Sequence, residues 1–136
     1  MQQLAPPEAA LLERVDAAPM LAQVQTWSAI NTGTANLAGL AQQAALLADA
    51  FAALPGVVTL ERPGAVQAVS PAGEEVAVEY GQHLVLRVRP AAPRRFLLTG
   101  HMDTVFPASD PFQGQTWLDE ITLNGPGVAD MKGGIA

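Results

Sequence analysis

The sequence has no cysteine among its 136 residues, which excludes a disulfide framework and any thiolate-ligated metal site. Basic charge is scarce as well. Seven Lys and Arg stand against thirteen Asp and Glu, for a formal net charge of −6, and no basic cluster exceeds the pair Arg94-Arg95. A phosphate-binding footprint needs a basic stripe or patch, so nucleic acid and anionic membrane surfaces are not expected partners. No apolar run approaches the ~18–20 residues needed to cross a bilayer. The stretch Met1 to Glu8 has neither a basic n-region nor an apolar h-region, so no secretory signal is expected, and the expected compartment is the cytoplasm. Internal repeats and low-complexity linkers are missing too.

What remains fits a globular chain of one domain with a sizeable core. Its first part reads as helical: Glu8 to Val15 behind Pro6-Pro7, then Pro19 to about Ile30, then Leu37 to Leu54. The last places Leu37, Leu40, Ala41, Ala44, Leu47 and Phe51 at helical spacing. Asn31-Thr32-Gly33-Thr34 supplies turn and cap chemistry between the second and third segments, and Pro55-Gly56 ends the third. The period then changes to two. Val57 to Glu61 and His83 to Val88 read as strands, and Ala65 to Val69 with Val76 to Tyr80 flank a hairpin turn at Ser70-Pro71-Ala72-Gly73. Phe96 to Thr99, continuously apolar, reads as a central strand covered on both faces, and Trp117 to Leu123 as a further strand. Helices first and strands later predict an α/β layered sheet.

Two motifs carry chemistry. In Leu97-Leu98-Thr99-Gly100-His101-Met102-Asp103-Thr104-Val105 an apolar run ends in His-x-Asp. In extended backbone alternate residues share a face, so Asp103 can hold one ring nitrogen of His101 while the other binds a metal. The same spacing also suits a strand-end histidine bonded to a turn aspartate. About thirty residues on, Gly125-Pro126-Gly127-Val128-Ala129-Asp130-Met131-Lys132-Gly133-Gly134 leaves one carboxylate projecting from a glycine-rich turn. A carboxylate has two oxygens and can bridge two cations, or it can simply cap a helix. His83 reads as a structural or surface residue and Asp119-Glu120 as a solvated turn. Arg62, Arg87, Arg89, Arg94 and Arg95 read as solvated strand-end charges.

Together, His101-Met102-Asp103-Thr104-Val105 and Gly125 to Gly134 resemble the dizinc aminoacylase/carboxypeptidase superfamily of metallopeptidases. Its members include glutamate carboxypeptidase, acetylornithine deacetylase and succinyl-diaminopimelate desuccinylase. Many relatives carry Gly-Arg-Gly where this chain has Gly125-Pro126-Gly127, a difference that leans toward the glutamate carboxypeptidase-like branch. The resemblance is specific over Phe96 to Gly134. Over residues 1–95 it is diffuse, limited to the helix-then-strand order and Asn31 to Thr34.

The resemblance implies a zinc-exopeptidase-like catalytic domain, a layered α/β sheet with helices on both faces. Residues 1–136 would be its N-terminal portion, 1–54 mainly helical and 57–136 mainly strands and metal-site loops. The inserted dimerisation domain of the family, through which the complete protein would homodimerise, is absent from them. His101 would be a ligand of one zinc and Asp130 the carboxylate bridging two. Asp103 joins the catalytic set as the group that orients His101, and the Asp130-Met131 peptide would be cis. The implied function is hydrolysis of an amide or peptide bond in a small N-acyl amino acid or peptide, by water activated between two zinc ions. Cobalt or manganese also suits these donor types. In the family pattern a Glu-Glu pair that includes the general base, another acidic ligand and a C-terminal histidine come later than Ala136. The expectation is therefore the first part of a longer enzyme, inactive alone. The competing expectation is a truncated, non-catalytic product that binds one metal weakly or serves as an interaction module.

Overall fold

The computed structural model describes residues 5–136, so the expectation read on Met1 to Glu8 lies partly outside the described residues. The first helix, α1 (Pro6–Leu12), starts on its two prolines, which need no N–H partner in a first turn. Glu8 Oε2 accepts from the Ala5 N–H at 2.7 Å. No residue of α1 is buried.

Helix α2 (Ala17–Ser28) begins two residues earlier than Pro19 suggested. Asp16 supplies the cap, its carboxylate accepting from Ala18 N at 3.0 Å, and the proline is tolerated inside the first turn. Helix α3 (Leu37–Phe51) is capped by Asn36, two residues beyond the expected turn, through a 3.1 Å bond from Gly39 N. The buried stripe of α3 is Gly39, Leu40, Gln43, Ala44 and Leu47, turned from the expected face so that Gln43 is inside and Ala41 outside. Gly39 decides that rotation. A β-carbon there would collide with the Asn31 carbonyl, so the bare edge of the helix faces the preceding loop.

Strands β1 (Gly56–Glu61) and β4 (His83–Val88) pair antiparallel, with Gly56 opposite Val88 and Glu61 opposite His83. Helix α3 packs on this ladder. Strands β2 (Val66–Val69) and β3 (Glu75–Val78) form the expected hairpin, whose turn uses Gly73 at φ +81°. The stretch expected as one strand at Trp117 to Leu123 is instead a second small hairpin, β5 (Thr116–Trp117) with β6 (Leu123–Asn124). Asp119 folds its turn, accepting from Ile121 N and Thr122 Oγ1, each at 2.9 Å. Those donors hold the Asp119 carboxyl below its ordinary pKa.

The described residues are thus mixed α/β, with three separate two-stranded antiparallel ladders in place of a single layered sheet. Phe96 to Thr99 pairs with none of them, and Phe96, Leu97 and Leu98 are 89%, 87% and 93% exposed. Apolar composition can ask for burial, but a central strand also needs neighbours to complete its hydrogen bonds. No such neighbour lies among the described residues. The buried apolar core is Val24 and Trp27 of α2 with Leu40, Ala44 and Leu47 of α3. Helix α2 packs against the turn Val128–Lys132 and the short α4 (Gly133–Ile135) that follows. No helix among the described residues is long and apolar enough to cross a membrane.

Candidate metal centre

The extended segment after Thr99 delivers His101 to the turn at Asp130. Gly100 lets it approach closely, since a β-carbon there would stand 3.2 Å from Met131 Cε and 3.3 Å from Ile135 Cγ1. His101 Nδ1 lies 3.2 Å from Asp103 Oδ1 and 3.1 Å from the Asp103 carbonyl oxygen. His101 Nε2 lies 2.9 Å from Asp130 Oδ1. The imidazole is therefore flanked by carboxylates on both sides. Burial works against the charged ring. The Asp130 hydrogen bond, the Asp103 carbonyl and the two carboxylate charges outweigh it and raise the His101 pKa.

This arrangement constrains the ring chemically. Both nitrogens face groups that can only accept, because an ionised carboxylate and a carbonyl offer no proton. A neutral imidazole has one N–H and can satisfy one side only. Either the ring holds a second proton, or a cation sits on the remaining nitrogen. Asp103, about one-third exposed, lies on the more sheltered side, and the Asp130 side chain is 86% exposed. A protonated ring satisfies both contacts directly, and a cation, if one were bound, would stand between Nε2 and Asp130.

The spacing suits one. Zinc bonds of about 2.0–2.1 Å in a tetrahedral shell hold two ligand atoms about 3.3 Å apart. The observed 2.9 Å between Nε2 and Oδ1 needs only a few tenths of an ångström of opening. One histidine nitrogen and one carboxylate oxygen are the donor types that zinc, cobalt and manganese accept. Among the described residues no three His, Asp or Glu side chains converge to hold one ion, since Asp103 stands behind the imidazole and not beside it.

Each half of the pair is held by residues whose role the motifs did not announce. Behind Asp103, Thr34 Oγ1 donates to Oδ2 at 2.7 Å. Its loop runs parallel to the His101 segment, with Gly33 bridged to Thr104, Thr104 N bonded to Thr32 O at 2.9 Å and Thr34 N to Thr104 O at 3.2 Å. Asn31 fastens the same junction, donating through Nδ2 to Phe106 O at 3.1 Å and Gln113 Oε1 at 2.8 Å. Its Oδ1 accepts from Gly33 N at 3.1 Å and Asn36 Nδ2 at 2.9 Å.

On the other half, Gly127 takes φ +74°, and its bare α-carbon makes room for the Lys132 stem, 3.0 Å from where a β-carbon would stand. Lys132 is 1% exposed, and its Nζ donates to Trp27 O and Ile30 O, each at 2.9 Å. Those carbonyls lie at and just beyond the C-terminal end of α2, where the helix dipole favours a cation; Trp27 O also accepts from Ile30 N at 3.2 Å. Desolvation lowers the Lys132 pKa to about 8, which leaves it charged at neutral pH. Asp130 and Met131 are non-helical (φ −120° and −133°), and the peptide between them is cis, as the resemblance implied. The Asp130 side chain caps no helix; its hydrogen bond is to His101. Thr34 and Lys132 left only a faint trace in the sequence, a hydroxyl in a turn-forming run and a lysine set among glycines.

No family model, curated protein or solved structure matches this chain.

Proposed function

We propose that His101 and Asp130 are two ligands of a divalent-metal centre, zinc by preference, in a metallopeptidase or amidohydrolase that cleaves an amide bond of a small N-acyl amino acid or peptide. The observation that carries this reading is the imidazole whose two nitrogens both face acceptors, with Asp103 on the more sheltered side and the exposed Asp130 on the open one. Two such ions, when bound, polarise the scissile carbonyl and generate a nucleophile from water at neutral pH. His101 contributes a neutral nitrogen, fixed in its Nδ1–H form by Asp103. Asp130 contributes one oxygen toward His101 and has a second free for a neighbouring ion. Two donors do not fill a metal shell, so in this reading the remaining ligands and the general base come from outside residues 5–136. The same reading extends the ladders into a layered α/β sheet of zinc-exopeptidase type, of which the bare Phe96 to Leu98 segment would be a part.

A second reading is favoured by the lack of a third converging donor among the described residues. In it, the chain is a non-catalytic module that binds one cation weakly. Zinc stoichiometry and affinity, with Asp130→Ala and His101→Ala beside the wild type, test both. Uptake of zinc that falls at least tenfold in each variant is expected for a metal centre. Uptake unchanged by both substitutions would overturn it. One weakly held ion favours the module, and two tightly held ions, with chelation abolishing amide hydrolysis, favour the enzyme.

A further inference from the structure

The Nδ1 side of the imidazole depends on a carboxylate that is itself about one-third exposed and free to turn about its own bond to Cβ. Asp103 has two acceptors to direct. Oδ1 meets His101 Nδ1 at 3.2 Å, and Oδ2 receives the Thr34 hydroxyl at 2.7 Å. The Thr34 bond is the shorter and is charge-assisted, since a hydroxyl donating to an ionised carboxylate typically closes to about 2.5–2.7 Å. Among the described residues the other acceptor within reach of that hydroxyl, Thr104 O, is at 3.4 Å. One proton serves one strong bond, and it goes to Asp103.

Thr34 is well anchored for this task. Its own N–H is bonded to Thr104 O, and Thr104 N is bonded to Thr32 O, so the two segments are tied through Thr104, the residue next to Asp103. Gly33 permits the approach, because a β-carbon there would stand 2.6 Å from Phe106 O. The branched Thr34 side chain has few rotamers, so its hydroxyl loses little freedom when it binds.

Resting on the metal-centre reading above, we infer that Thr34 is a positioning residue. Its hydroxyl fixes the Asp103 carboxylate, which fixes the Nδ1–H form and tilt of His101 and so presents Nε2 to a divalent cation. Partners one step behind a metal ligand typically tune affinity by about 10–100-fold. Thr34 acts one step further back, so its effect falls at the lower end.

The test compares T34V, which removes the hydroxyl, with T34S, which keeps it, in the full chain. In the cation-free protein, nitrogen-edited NMR reads the His101 ring directly. Wild type and T34S should show a downfield, slowly exchanging Nδ1 proton, and T34V should lose it. Zinc affinity, read by competition with a chromophoric chelator, should fall about tenfold in T34V and return to within about threefold of wild type in T34S. Should T34V fail to fold, T34A repeats the comparison. An intact Nδ1 proton in a hydroxyl-free variant overturns the inference. So does loss of that proton in T34S, which would assign the effect to packing. If the wild type binds no zinc while the NMR contrast holds, the metal reading fails and the positioning role of Thr34 stands.

Discussion

The β1–β4 ladder under α3 and the junction around His101 are held together by different means. In the ladder, six residues of each strand pair in simple antiparallel register, and Leu40, Ala44 and Leu47 come from one helix. Its hydrogen bonds run between the two strands, and the one buried polar side chain of α3, Gln43, makes none among the described residues. At the junction the buried residues are polar: Ser28, Thr32, Thr104 and Lys132. Their neighbourhood is fastened by side chains that reach 69 residues along the chain from Thr34, 82 from Asn31 and 105 from Lys132. The ladder shows how apolar area gives stability. The junction shows how directed hydrogen bonds set the position of two particular atoms, His101 Nε2 and Asp130 Oδ1. Stability and site geometry should therefore be separable by mutation.

The largest effect expected is on the ladder side. Leu47→Ala removes a 3% exposed side chain and should cost about 3 kcal/mol in denaturant unfolding, through lost transfer energy and the cavity left behind. Yet in chains that remain folded, zinc affinity should stay within about twofold of wild type. Site loss in proportion to stability loss would erase the distinction between the two regions.

Lys132→Met is the counterpart. It leaves Ile30 O without its donor and removes the tie between the Asp130 turn and α2, for a cost of about 2 kcal/mol, partly offset because a desolvated charge is removed too. Here the His101–Asp130 contact should be lost in the folded protein, with zinc affinity down at least tenfold. A ring signal of His101 that is unchanged in Lys132→Met would show that the turn holds its place without the lysine.

The smallest change is made by pH alone. A cation binds the neutral imidazole, and the His101 pKa is raised, so protons compete at a higher pH than for an ordinary histidine. Zinc affinity should fall by about tenfold per pH unit below that raised value. Without the cation the sign reverses. A folded pKa raised above the unfolded one adds stability at pH values below the unfolded pKa, and this is lost as pH rises through the folded pKa. Affinity that is flat between pH 8 and 5.5 would remove His101 from the ligand set.

Much of the ladder region was legible in the sequence because its signals are local. Alternation marked His83 to Val88, and Gly73 marked the hairpin turn. The start of α2 moved by two residues where Asp16 took the cap, while α3 starts at Leu37 as expected, capped by Asn36. Phe96 to Thr99 stands unpaired among the described residues, because a strand is defined by its partners, which composition does not reveal. At the junction the motifs named His101, Asp103 and Asp130, and the structure brings those three side chains into one hydrogen-bonded row. Thr34 and Lys132 were illegible for the opposite reason. Their bonds go to atoms so distant in sequence that no local pattern encodes them.

The short stretch from Trp27 to Thr34 touches both halves of the pair. Its first part offers the Trp27 and Ile30 carbonyls to Lys132, and so holds the Asp130 side. Its second part, Asn31 to Thr34, grips Phe106, Gln113, Thr104 and Asp103, and so holds the His101 side. The gap between the two donor atoms is thus measured across one covalently continuous span, like the opening of a caliper whose jaws share a single beam. Inserting or deleting one residue within that beam would leave both ligands in the chain and both loops intact, yet change the size of the ion they can grasp together.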